Sequence, residues 1–360
     1  MGKNWRRSGR LGADANLGPR AAYVRARKRL EFRTFVARLF LYPADLYLNY
    51  VSAYLPAQVV TNEHFTRLNG LSDEWIIERT GIRERRKAGP GEDTNTMGIA
   101  AVEALRAGAP YDLSTVDFIV GGTYTPHDTI VTLAHAVQHY INVPDIPVVS
   151  VSSACSTLLN ALEVVQGYFA IGKATRALVI VSDHNTAYNN ESDTIAGHLW
   201  GDGAAALLIS KEPVAPGEVQ ITDILTGGAA TVGKATTGVS LKPVQKGIVM
   251  PNGRDVFQWA CHYMAQVTRT ITERNGYEVS DIDLLIPHQA NLRISRNVMK
   301  ALGLPEERVL SNIERLGNTG CAGAAIALAE NYDRVLASAL TVITVFGGGY
   351  SYGAALLTGG

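Results

Sequence analysis

The chain is poor in cysteine, has no long apolar run and carries no net charge, and each shortage excludes something. Its 360 residues include three cysteines, Cys155, Cys261 and Cys321, with no Cys-x-x-Cys pair. That spacing excludes a disulfide framework and a paired-cysteine zinc site, and it fits a reducing, cytoplasmic compartment. No segment reaches the roughly 18 apolar residues of a membrane span. The nearest candidate, 39–51, is broken by Pro43, Asp45 and Asn49. The glycine run Gly347-Gly348-Gly349 lacks the Lys-Ser/Thr of a phosphate loop and leads into a strand pattern rather than a helix.

The zero net charge conceals an asymmetry. Residues 1–44 hold 11 Lys/Arg against 2 acidic residues, so this segment carries +9 and the remainder −9. Such a tail suits a nucleic-acid or anionic-membrane patch, a targeting segment, or an extension without a role. The last is expected here: a solvated, disordered extension, with no nucleic acid and no membrane as partner.

With 46% hydrophobic residues the body can bury a large core. Strand and helix patterns alternate along it, the signature of α/β layers. Residues 177–182 and 203–209 read as buried strands, and 341–346 followed by 353–357 repeats that pair. The repetition suggests an internal duplication. The polar connector 211–217 marks its boundary, giving halves 45–212 and 213–360 after the tail.

Cys155 follows a segment, 148–152, that reads as a buried strand, and it precedes a helix pattern over 158–171 carrying Leu159, Leu162, Val165 and Phe169. A thiol there faces the free N–H groups and dipole of a helix N-terminus, which lower its pKa. A small residue packed at an elbow explains the segment equally well. His288 stands where the run 283–287 ends and the helix pattern of Leu292, Val298 and Leu302 begins. Asn318, in Gly317-Asn318-Thr319-Gly320, opens onto the small apolar stretch 322–328. Singly these residues are a polar cap and turn chemistry. Together they place Cys, His and Asn at strand ends, where open α/β sheets bind ligands.

These segments carry a resemblance. The helix signature from Ser72 to Arg83, Ala154-Cys155-Ser156, Gly201-Asp202-Gly203-Ala204, Pro287-His288-Gln289-Ala290-Asn291-Leu292-Arg293, Gly317-Asn318-Thr319 and Phe346-Gly347-Gly348-Gly349 follow one another as in the β-ketoacyl-ACP synthase III family. The chain resembles that family from about residue 46 onward. The resemblance implies a thiolase-like αβαβα five-layer sandwich of two duplicated halves, Cys155 coming from the first and His288 and Asn318 from the second. It implies transfer of an acyl group from acyl-CoA to Cys155, then decarboxylating condensation with malonyl-ACP (ACP, acyl carrier protein), without metal or bound cofactor. Backbone N–H groups of Cys155 and Gly348 would hold the oxyanion. His288 and Asn318 would donate to the thioester oxygen as it gains enolate charge, where a carboxylate would repel it.

Trp75 and Arg79 lie four apart on a helix pattern and share a face. An amphipathic helix with one buried aromatic would look the same, but the resemblance implies that the indole stacks the adenine of CoA with Arg79 assisting. Arg293, Arg296 and Lys300 form a basic stripe, an ordinary solvated face or, on a body of charge −9, a docking face for acidic ACP. Departures from the family pattern are Thr157, Gly320-Cys321-Ala322-Gly323, Thr129 in the segment walling the acyl pocket, and the lack of an arginine after Ser182. They bear on acyl preference and CoA contacts. A homodimer is expected, because the apolar strand before Cys155 would lie near the edge of the sheet and pairing with a second copy would cover it, with Thr129 walling the partner's acyl pocket. The alternatives are a condensing enzyme of secondary metabolism, of alkylresorcinol or quinolone type, and a non-catalytic acyl-binding scaffold.

Overall fold

The computed structural model describes residues 44–242 and 247–359; the basic tail lies outside these residues. The strands are β1 (Tyr47–Tyr54), β2 (Gln58–Thr61), β3 (Glu84–Lys87), β4 (Phe118–Gly122), β5 (Val148–Val151), β6 (Arg176–Asp183), β7 (Gly203–Ser210), β8 (Val219–Gly228), β9 (Ser240–Leu241), β10 (Ile248–Val249), β11 (Leu284–Pro287), β12 (Leu340–Phe346) and β13 (Ser351–Thr358). Nine of them join in the order β11-β12-β13-β8-β1-β7-β6-β4-β5. The β1–β8 seam is slight, with Tyr47 opposite Gln220 and Leu48 opposite Val219. On either side of it the pairing repeats: β4 runs parallel to β6 and β6 antiparallel to β7, as β11 runs parallel to β12 and β12 antiparallel to β13.

Alternation along the strands builds the layers, because successive side chains point to opposite faces. In β6, Leu178 and Ile180 face an outer core against the Thr94–Leu105 and Leu133–Ile141 helices. Val179 and Val181 face a central core that also holds Ile343 and Val345 of β12 and Ala355 and Leu357 of β13. The Thr157–Ala170 and Gly323–Glu330 helices fill that central layer. Val342 and Leu356 turn the other way, onto the Gly253–Arg274 and Leu292–Leu302 helices. The result is αβαβα, the thiolase-like architecture. The Gly323–Glu330 helix is buried on every side in this layer, and a helix so placed is apolar all round, which explains its Gly-Ala-Ala-Ile-Ala-Leu-Ala run.

One reading of the sequence needs correction here. The strand before Cys155 is not buried: β5 ends the sheet, Ser150 is exposed and its neighbours are half-buried. An apolar run of four residues has the same composition at a sheet's centre and at its edge. No helix of the described residues is long and apolar enough to cross a membrane.

Candidate active site

Cys155 sits on a tight elbow between β5 and the Thr157–Ala170 helix. Ala154, just before it, is held at φ 49°, the left-handed region that a residue with a Cβ enters at a cost. Side chains lock the turn. The Ser153 N–H donates to Thr157 Oγ1 at 2.8 Å, and that hydroxyl donates to the Ala154 carbonyl at 2.6 Å. The Ser156 and Ser351 hydroxyls both donate to the Ser153 carbonyl at 2.8 Å. Thr157, a departure from the family pattern, thus closes the elbow. The glycine loop after β12 lies against it: a Cβ on Gly347 would stand 2.6 Å from the Cys155 nitrogen. The backbone N–H groups of Gly348 and Cys155 are near enough to the sulfur to favour its charged form.

The thiol pKa runs opposite to expectation. Burial first, and then the charge of nearby Asp183, push it up to about 12, against the pull of the two N–H groups. Desolvation and a like charge disfavour the thiolate more than a helix N-terminus favours it. The sequence could not show this, because Asp183 arrives from the end of β6. Its carboxylate accepts from Thr123 Oγ1 at 2.9 Å, Tyr124 N–H at 3.1 Å, Thr125 Oγ1 at 2.9 Å and Cys321 N–H at 2.7 Å.

His288 extends β11, its N–H donating to the Thr344 carbonyl at 2.8 Å. It is buried, and burial lowers its pKa to about 4. The imidazole is therefore neutral at pH 7, with one ring N–H to donate. Asn318 does not end a strand as the sequence suggested; it follows the four-residue Ile313–Leu316 helix. A single parallel bridge to Trp200 fixes its backbone, with Asn318 N–H on the Leu199 carbonyl at 2.8 Å and Gly201 N–H on the Asn318 carbonyl at 3.0 Å. Its Oδ1 accepts from the Gly320 N–H at 3.0 Å, so the amide hydrogens on Nδ2 remain for the cavity. Gly320 does this at φ 62° and leaves room for Asp183 and Tyr124.

Cys155, His288, Asn318 and Gly348 line one cavity of about 320 Å³. Apolar side chains make most of its wall, among them Val239, Leu241, Met250, Met264 and Phe346, with Tyr124, Ser152 and Trp200 as polar-tipped members. The sequence reading missed Asp183 and Trp200, and from the segment expected to wall the acyl pocket it singled out Thr129 where Tyr124 is the residue in the wall. Both missed residues had a usable signal, since Asp183 ends a strand and Trp200 precedes Gly201-Asp202.

The Asp73–Thr80 helix starts at Ser72, whose hydroxyl caps the Trp75 N–H, and ends at Gly81 at φ 80°. Trp75 and Arg79 do share a face: the guanidinium stands over the indole at 4.3 Å. Both lie outside the cavity, and Trp75 packs against an apolar cluster that also holds Leu241, Met250 and Trp200 of its wall. Asn291 ties this helix to the Leu292–Leu302 helix, donating to the Arg79 carbonyl at 3.1 Å while capping the Arg293 N–H at 2.8 Å. Arg293, Arg296 and Lys300 are all exposed, and only a long contact of 3.9 Å joins Arg296 to Glu306. Thr129 is exposed and takes no part in its own chain's cavity. Cys321 is buried against the Gly122 carbonyl. Among the described residues no cluster of three or more His, Cys, Asp or Glu could hold a metal ion.

Comparison with known proteins supplies the family. A profile described as 3-oxoacyl-[acyl-carrier-protein (ACP)] synthase III matches residues 149–228, and one for the C-terminal part of the same enzyme matches 272–358. The β-ketoacyl-[acyl-carrier-protein] synthase III of Nitratidesulfovibrio vulgaris strain DP4 is 33% identical over 319 residues, covering 85% of this chain and 96% of that protein. This chain belongs to the β-ketoacyl-[acyl-carrier-protein] synthase III family. Family members of known structure agree: the 3-oxoacyl-[acyl-carrier-protein] synthase III of Aquifex aeolicus superposes with a TM-score of 0.80 at 30% identity, over 87% of this chain and 99% of that one. The priming β-ketosynthase of the R1128 polyketide pathway reaches 0.79 at 28% identity, over 88% and 96%.

Proposed function

We propose that the chain is an acyltransferase that joins an acyl-CoA to malonyl-ACP by decarboxylating condensation, yielding the 3-oxoacyl-ACP that begins a fatty-acid chain. The observation that carries this reading is one cavity shared by a thiol close to two backbone N–H groups, a neutral imidazole, and a carboxamide whose oxygen is already occupied.

Cys155 Sγ attacks the thioester carbonyl, and the oxyanion forms against the Cys155 and Gly348 N–H groups. The carbon–sulfur bond to CoA then breaks, and the proton of the resting thiol ends on the departing CoA. Malonyl-ACP follows. As carbon dioxide leaves, charge moves onto its thioester oxygen, where Asn318 Nδ2 and a His288 ring N–H donate. The enolate carbon attacks the acyl-Cys155 carbonyl and Sγ is released. Neutrality of His288 matters: an imidazolium would hold the malonyl carboxylate in its ground state, whereas neutral donors strengthen as enolate charge develops.

Trp75 and Arg79 form the adenine platform for CoA, and Arg293, Arg296 and Lys300 the face for acidic ACP. The repeated strand pairing supports a duplication with its boundary between residues 212 and 213. A homodimer is supported by Ile130 and Val131, 83% and 55% exposed beside Thr129, and by the uncovered edge of β5. Thr129 would then wall the partner's acyl pocket. Priming of a secondary-metabolite chain is the second reading, favoured by the R1128 likeness.

Intact-mass analysis with acetyl-CoA, followed by malonyl-ACP, tests the proposal. The wild type gains an acetyl group and loses it to product. Cys155→Ala gains none, while His288→Ala and Asn318→Ala acylate but fail to condense. Condensation by Asn318→Ala at the wild-type rate would sink the enolate-donor role.

A further inference from the structure

The carboxylate at the end of β6 has no part in the chemistry assigned to Cys155, His288 and Asn318, yet it is fully buried beside the thiol. Burying a carboxylate is costly unless its oxygens are well satisfied. Asp183 meets that condition with neutral donors. Oδ1 accepts from Thr123 Oγ1, Tyr124 N–H and Thr125 Oγ1, and Oδ2 accepts from Cys321 N–H. Both threonine hydroxyls already accept a backbone N–H, Thr123 Oγ1 from Thr125 at 3.0 Å and Thr125 Oγ1 from His184 at 2.8 Å, which leaves their hydrogens for the carboxylate. The cage therefore fits a group that only accepts. The same charge disfavours the thiolate of Cys155, so its use lies elsewhere.

The segments that the carboxylate joins show where. Thr123 follows β4 directly, and its N–H donates at 3.2 Å to the carbonyl of Val151, the last residue of β5. Cys155 stands four residues further along the chain. On the other side, Cys321 belongs to the short Gly320–Ala322 helix, and the Gly320 N–H is the one that holds Asn318 Oδ1. Two residues beyond Asp183, the buried Asn185 takes hold of Asn318 by its backbone. Its Nδ2 donates to the Asn318 carbonyl at 3.3 Å and to the Gly201 carbonyl at 2.8 Å, while Oδ1 accepts from Tyr124 Oη at 2.6 Å. One strand end thus grips the Asn318 turn at two points and ties it to the strand that delivers the thiol.

We propose that Asp183 and Asn185 are positioning residues for the condensation step, the carboxylate of one and the carboxamide of the other fixing where Asn318 stands relative to the acyl group on Cys155. This rests on Asn318 as the enolate donor. Acyl transfer to Cys155 uses backbone N–H groups and needs no carboxamide, so only the second half-reaction depends on the grip. A reacting or donating group displaced by about 1 Å loses up to about a hundredfold in rate.

The test separates the half-reactions in the full chain: acetylation of Cys155 by acetyl-CoA, read by intact mass, and condensation with malonyl-ACP, read by product formation. In Asp183→Asn the amide has an oxygen for one side of the cage only, and its NH2 meets donors on the other. Condensation kcat falls by about tenfold or more at an unchanged KM for malonyl-ACP. Acetylation holds or rises, because the charge that disfavours the thiolate has gone, and the pH profile of Cys155 alkylation by iodoacetamide moves to lower pH. Asn185→Ala changes no charge: it lowers condensation kcat several-fold and leaves acetylation and the alkylation profile in place. General loosening of the site would not move the two half-reactions apart. Equal losses in acetylation and condensation overturn the proposal, as does wild-type condensation in either variant or an unshifted alkylation profile in Asp183→Asn. Asn185→Ala keeps the test decisive if Asp183→Asn does not fold. Failure of the underlying reading looks different, since Asn318→Ala itself then condenses like the wild type.

Discussion

Gly320→Ala is the substitution whose consequences the structure specifies most fully. The new Cβ would lie 2.2 Å from Asp183 Oδ2 and 2.6 Å from Tyr124 Oη, well inside van der Waals contact. Neither neighbour yields easily. Asp183 is held by four donors, and Tyr124 by its bond to Asn185. The backbone adds a second cost, since φ of 62° suits glycine and disfavours alanine by about 1 kcal/mol. Overpacking of a buried site costs about 1–3 kcal/mol more. The expected loss of stability is therefore about 2–4 kcal/mol, read from urea unfolding midpoints at pH 7 with the slope unchanged. The functional effect is the sharper readout. Displacing Gly320 frees the N–H that holds Asn318 Oδ1, so the carboxamide can turn its oxygen toward the enolate. Condensation with malonyl-ACP should then fall by at least tenfold more than acetylation of Cys155, measured separately by product formation and intact mass. Wild-type stability together with a wild-type condensation rate would falsify the account of how Asn318 is aimed.

Three further outcomes are expected. His288 and His198 are both lowered to about 4 by burial, so the native state favours their neutral forms; that contribution is present above about pH 6.5 and is lost as pH falls toward 4. Each should withdraw about 2–3 kcal/mol between pH 7 and 4.5, and a His198→Leu variant whose unfolding midpoint falls as steeply with acid would refute this for His198. Reversing Arg293, Arg296 and Lys300 to Glu should raise KM for malonyl-ACP and weaken its salt dependence while affecting acyl-CoA much less, because exposed charges act through screened steering; equal losses for both substrates would assign the stripe to the common channel. Light scattering at micromolar concentration should report a dimer that Ile130→Glu weakens, and a fully active monomer would exclude the interface.

What was legible in the sequence is what short stretches of chain encode. The apolar runs of β6, β7 and β12 and the order of the Cys155, His288 and Asn318 motifs all depend on neighbours within a few residues. Those patterns were enough to assign the layers, the family and the three residues that share the cavity. The sign of the Cys155 pKa and the hold of Gly320 on Asn318 were decided only by tertiary structure. Each is a balance among groups far apart in the chain. A helix N-terminus beside a thiol is visible locally, but the buried carboxylate that outweighs it comes from the far end of β6, and desolvation exists only once the core has closed around both.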